Sequence, residues 1–257
     1  GPRGAGGRAG AGGAACYRRG VRARLVAIAA ITAACGRYQF NPVGVDAAPA
    51  GDASEGTIDA SIVPAALHRY PLAADFKDAL GGPTLVSGGG ALGVGGYRFA
   101  KNEGLSLAGE AIPVGAYTID FTVNVELVAG YRKLIDFKNL ALDDGFYIHD
   151  EKLAFVTDAS VPTEYAGPPV FAAGVDTRVT LTHGADGNVV GYVNRKPQLE
   201  FSDTRASAVF STAGRLAYFV VDDEVTRSGS NEATGGAIRE LAIWATPLTR
   251  EQVAALP

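Results

Sequence analysis

The chain has 257 residues, 47% hydrophobic and 19% charged, enough to bury one or two ordinary cores, and it contains no run of 18 apolar residues that would make a spanning helix. Its net charge of −4 is unevenly divided: residues 1–45 hold seven arginines and no acid, which leaves 16 basic against 27 acidic side chains, a balance of −11, in the remainder. A body that acidic repels phosphate backbones, which excludes nucleic acid as a partner.

In chain order, Arg18, Arg19, Arg22 and Arg24 form a positive cluster, followed by the uncharged apolar stretch LVAIAAITAA at 25–34. Ten apolar residues are too few to span a bilayer but suit the core of a signal peptide. Ala33 and Ala34 then precede Cys35, an order that resembles a bacterial lipobox, although Thr32 stands where leucine is usual. That resemblance implies export and lipidation of Cys35, with the protein held at the cell envelope by its lipid and meeting the membrane only there. Cys16 would be lost with the signal peptide, so no cysteine-type metal site or disulfide is expected in the mature chain. Residues 1–34 are therefore read as low-complexity segment and signal peptide. Residues 35–66, rich in Ala, Gly, Pro, Asp and Ser, are read as a flexible tether.

From residue 67 the texture is that of short alternating runs between turn residues. Along Tyr117–Leu127 the apolar Ile119, Phe121, Val123, Val125 and Leu127 alternate with Thr118, Asp120, Thr122, Asn124 and Glu126. Period 2 over that length predicts a strand with one buried and one wet face. Similar runs lie at Arg132–Phe137, Gly145–His149, Thr177–His183, Val189–Asn194, Leu216–Val221 and Ile238–Trp244. Regular short strands predict an all-β sandwich or barrel rather than βαβ units. One helix is predicted, at the C-terminus: Thr249 and Gln252 form a capping box, and Leu248 with Val253 a hydrophobic staple that would lay Val253 and Leu256 on the sheet.

Taken together, GYRFAKNEGLSL, YTIDFTVNVE, GYRKLIDFKN, GFYIHDEKLAF, GYVNRKPQLEF, LAYFVVDDE and IRELAIWATPLTREQVAAL resemble a bacterial laminin G-like domain of the concanavalin A-like superfamily over 67–257. The resemblance implies a two-sheet antiparallel jelly-roll sandwich with a short C-terminal helix, exported, binding a glycan or an extracellular protein, with no catalysis implied. Two departures stand out. Asn194-Arg195 replaces the usual Asn-Gly and weakens the expectation of a tight type I′ turn. Arg239-Glu240 replaces the family's Asp-Glu and weakens a metal contact there.

Several chemistries fall away on spacing. Gly88, Gly90 and Gly93 spell G-x-G-x-x-G, but strand-like Tyr97–Ala100 follows where a dinucleotide loop needs a helix. Gly104-Leu105-Ser106-Leu107-Ala108 lacks the last glycine of a nucleophile elbow. His68, His149 and His183 share no zinc-ligand spacing. A glycoside hydrolase on the same fold is the alternative function, and a purely structural surface domain another. On the clearest strand, however, Asp120 and Glu126 would stand roughly 20 Å apart, beyond the reach of paired carboxylates. Acids from different strands remain free to converge.

The remaining polar feature is Asp222-Asp223-Glu224, which opens the loop RSGSNEATGG. Hard oxygen donors on a loop suit calcium, with Asp222, Asp223 and Asn231 as candidate ligands, against the alternative of solvated charges at a strand end. Of the aromatics, Phe121, Phe219 and Trp244 are expected in the core. Tyr117, Tyr131, Tyr147 and Tyr165 are candidates for stacking on sugar rings.

Overall fold

The computed structural model describes residues 62–108, 111–157, 164–165, 167–210, 216–223 and 231–257. By its internal contacts the chain divides into residues 1–55 and 56–257, and every described residue belongs to the second unit. Cys35 and the proposed signal peptide lie outside the described residues, as do Glu224 and the side chain of Tyr165.

The described elements in chain order are β1 (His68–Tyr70), β2 (Val86–Ser87), β3 (Ala91–Gly93), β4 (Gly96–Phe99) and β5 (Leu105–Ala108). Next come β6 (Tyr117–Val125), β7 (Tyr131–Asp136), β8 (Gly145–His149), β9 (Lys152–Val156) and β10 (Glu164–Tyr165). The chain continues with β11 (Thr177–His183), β12 (Asn188–Val193), β13 (Lys196–Ser202), β14 (Leu216–Phe219), β15 (Gly236–Trp244) and α1 (Arg250–Ala254). They form two antiparallel sheets. An eight-stranded sheet runs β13-β12-β11-β6-β15-β4-β3, with β1 also paired to β15, and a seven-stranded sheet runs β10-β9-β8-β7-β14-β5-β2. The predicted all-β, two-sheet sandwich with a C-terminal helix is what the chain forms. The GxGxxG segment lies at β3 and the loop before it, among strands.

The alternation of β6 sends Ile119, Phe121 and Val123 into the space between the sheets, where they join Val179 and Leu181 of β11 and Leu241 and Ile243 of β15. Across the gap stand Leu134, Ile135, Phe146, Phe155 and Phe219, with Phe121 and Phe219 meeting edge-on at 6.2 Å. Each such aromatic contributes about 1.5–3 kcal/mol on burial. The sheets approach closely at Gly191, where a Cβ would stand 2.7 Å from Leu153 and 3.0 Å from Phe146.

The outer face of the eight-stranded sheet is not the wet face that the alternation predicts. Thr118 is fully buried, taking the amide of Leu248 at 2.8 Å and donating to the carbonyl of Thr246 at 2.8 Å. The chain after β15 folds back over this face. Val190, Tyr192, Trp244, Leu248, Val253 and Leu256 thereby form a second apolar cluster, so Trp244 is buried, but here rather than between the sheets. The capping box at Thr249 and Gln252 is present as read. Ile62–Ala66, within the segment read as tether, dock on the same face: Trp244 Nε1 donates to Pro64 at 2.9 Å and Gln252 Nε2 to Ile62 at 3.1 Å.

The β12–β13 hairpin closes through Asn194 (φ 49°) and Arg195 (φ 67°), the positive φ pair that a type I′ turn requires despite the missing glycine. Asp150 (φ 47°) and Glu151 (φ 66°) do the same between β8 and β9.

Candidate metal centre

The polar cluster forms around Lys133. In β7 the register slips against β8 between Lys133 and Ile135, so Leu134 and Ile135 both enter the core. Lys133 pairs with Tyr147, whose ring lies 5.1 Å from the ammonium. Gly145 makes the room: a Cβ there would come within 3.0 Å of Lys133 Cε. The Lys133 side chain is wholly buried.

Carboxylates converge on it from three parts of the chain. Asp136 Oδ2 and Asp143 Oδ1 each lie 3.3 Å from Lys133 Nζ, with Asp223 Oδ1 at 3.7 Å and Asp222 Oδ1 at 4.0 Å. Asp136 is held in place by the amides of Leu140 (2.8 Å) and Lys138 (3.1 Å), and Asp143 accepts from the Tyr147 hydroxyl at 2.6 Å. Glu232 is drawn in by its backbone. Its carbonyl accepts from the Lys133 amide at 3.0 Å, its amide donates to Asp222 Oδ2 at 3.2 Å, and Arg132 grips the preceding carbonyl of Asn231 at 2.7 Å.

One ammonium among five carboxylates leaves four negative charges in excess if all are ionised, and burial makes that costly. Protons answer part of it. Burial, and then the hydrogen bond with Asp223, push Asp222 up to about 7. Burial and the neighbouring Asp143 raise Glu232, and burial raises Asp136 against the pull of Lys133. Burial works against the charge of Lys133, but Asp136, Asp223, Asp143 and Asp222 together hold its pKa above the ordinary value.

A cation is the other answer. One carboxylate oxygen each from Asp143, Asp223 and Glu232 lies within 4.8 Å of the others. Two oxygens bound to one calcium at about 2.3–2.6 Å can stand up to about 5 Å apart, so the spacing fits. The donors are all hard oxygens, and Glu232 Oε2 is buried without a hydrogen-bond partner. The residues present therefore fit a divalent hard cation.

Of the residues named from sequence, Asp223 belongs to this trio. Asp222 is fully buried beside it, orienting Glu232. Asn231 is exposed, and its backbone carbonyl accepts from Arg132. Lys133, Asp136 and Glu232 join the cluster without a signal in the local sequence pattern. Asp143, followed directly by Asp144, lies not on a strand but in the connection between β7 and β8.

Other expectations need correction. Tyr117 and Tyr147 are fully buried, which removes them as sugar-stacking residues. Tyr131 is half-buried and stacks on His149 at 3.9 Å. Asp120 is not on a wet face: Arg178 meets it through Nε (2.9 Å) and Nη2 (2.6 Å), and Thr180 donates at 2.6 Å. His68, His149 and His183 stay apart, each beside its own aspartate.

No family model and no curated protein matches the chain. Among solved structures it is similar to domain 4 of AbnA, a GH43 extracellular arabinanase from Geobacillus stearothermophilus in complex with arabinotriose. The TM-score is 0.54 and the identity 17%, over 74% of this chain and 96% of that one. It is also similar to Trypanosoma rangeli sialidase in complex with 2,3-difluorosialic acid, with TM-score 0.55 and identity 13% over 74% of this chain; the match spans only 32% of the sialidase. At such identities the likeness is one of fold. The class defined is the two-sheet antiparallel jelly-roll sandwich of concanavalin A-like architecture.

Proposed function

We propose that the chain is a laminin G-like binding module, exported and lipid-anchored through Cys35, that holds a glycan or an extracellular protein without cleaving it and uses calcium to do so. The observation that carries this reading is the gathering of Asp143, Asp223 and Glu232 beside an already saturated Lys133. Asp143, Asp223 and Glu232 would hold the ion, which when bound supplies positive charge and open positions for hydroxyl or carbonyl oxygens of a ligand. Asp222 keeps Glu232 turned inward, and Tyr147 steadies Asp143. The sandwich class supports a glycan as ligand, since its similar structures include an arabinanase domain in complex with arabinotriose.

The test is a melting curve in millimolar calcium against chelator. Calcium at a hundredfold excess over Kd should stabilise by about 2.7 kcal/mol, which is about 5–10 °C for a domain of this size. The Asp143→Asn, Asp223→Asn double variant should lose that shift, and retention on an arabinan or sialylated-glycan surface should fall in chelator. An unmoved midpoint would leave the cluster as buried structural charge. For the anchor, Cys35→Ser should shift the protein from the detergent phase to the aqueous phase.

A further inference from the structure

The outer face of the eight-stranded sheet carries a hollow of about 160 Å³ that shares no lining residue with the acidic cluster. Its origin is a small side chain in the middle of long ones. Ala242 of β15 pairs with Asp120 of β6 on one side and with Arg69 of β1 on the other. Glu240 and Trp244 stand two residues before and after it on the same face of β15. The floor is therefore Ala242, and Arg69, Asp120, Glu240 and Trp244 form the walls, with Arg178 behind Asp120.

The walls have different freedom. Asp120 is engaged by Arg178 and Thr180, and Arg178 also donates to the carbonyl of Pro257, so this side is rigid and electrically balanced. Arg69 is exposed and its guanidinium makes no ion pair among the described residues; its backbone amide donates to Asp78 and its carbonyl accepts from Ala79. Glu240 is half-buried and influences Arg178 through space. A donor fork and an acceptor thus both border an apolar floor edged by an indole, and two arginines balance two acids among the charged side chains of the lining. An anion would meet Glu240 and Asp120, and a cation Arg69 and Arg178. A neutral ring bearing several hydroxyls satisfies donor, acceptor and apolar floor together.

We infer that this hollow is a binding site for one neutral sugar ring, separate from the metal centre. The inference rests on the glycan arm of the proposed function but needs no cation. Such a site takes a single terminal or branching unit, because the hollow has room for one ring.

The experiment is ligand-observed NMR and calorimetry with a panel of neutral methyl pentosides and hexosides, all in chelator. At least one should bind the wild type with millimolar affinity. Ala242→Phe, which fills the hollow, should weaken it at least about tenfold, and Glu240→Gln and Arg69→Ala should each weaken it severalfold. Melting curves establish that each variant is folded, and Ala242→Leu serves if the phenylalanine is not tolerated. Absence of binding across the panel, binding indifferent to the filled hollow, or tighter binding of sialic acid than of any neutral sugar would each overturn the inference. Failure of the calcium-induced melting shift would instead count against the metal centre and leave this site standing.

Discussion

The Asp78 carboxylate accepts from the amides of Arg69 (2.8 Å), Leu80 (3.0 Å) and Gly82 (2.9 Å) and meets His68 Nδ1 at 2.6 Å. Gly82 is required for this closeness, since a Cβ would fall 2.3 Å from Asp78 Oδ2. Burial acts to raise the Asp78 pKa, but the three amides and His68 outweigh it and set it below the ordinary value. A depressed carboxylate stabilises above the unfolded value near 4, and that contribution is lost as the pH falls through the lower folded value. Asp78→Asn is expected to cost about 2–3 kcal/mol at pH 7 and less at pH 3, read from denaturant curves at both pH values. Trp244, buried against the returning chain, gives a second single-residue test: Trp244→Ala should cost about 3–5 kcal/mol, and a loss below about 1 would place the indole in contact with solvent.

Among the elements, the β12–β13 hairpin holds Arg195 at φ 67°, where a non-glycine side chain is strained. Arg195→Gly relieves that strain while loosening the unfolded chain, and a net gain of about 0.5–1 kcal/mol in thermal unfolding is expected. The same element shows how far a local pattern reaches. Alternation in β6 placed Phe121 and Val123 inside because the period of a strand is a local property. It misjudged Thr118 and Asp120, because what covers their face is a segment more than a hundred residues later: Thr118 bonds Leu248 across 130 positions. The acidic centre was legible only at Asp222 and Asp223, where the acids are adjacent in sequence. Lys133 reads locally as one more charge on an alternating run, and it meets Glu232 because Arg132 and Asn231, 99 positions apart, are brought side by side.

For the molecule as a whole, the charge cluster ties stability to both pH and cation. In chelator, the native Asp222 keeps a proton up to about pH 7 that the unfolded chain releases near 4. Its contribution is full below about pH 4 and lost as the pH rises through about 7, so the melting midpoint in chelator should fall between pH 5 and pH 8. Saturating calcium binds the deprotonated cluster and should flatten or reverse that slope, and Asp222→Asn should remove its share of the slope in chelator. A scan of midpoints at several pH values, with and without the ion, checks all three.

Strand β15 joins two distant places. It begins just after Glu232 and ends at Trp244, whose indole holds Pro64, where the chain enters the sandwich. Nine strand residues extend about 30 Å, so the acidic centre and the Pro64 contact lie near opposite ends of β15. The strand acts as a mast that keeps these two contacts a fixed length apart.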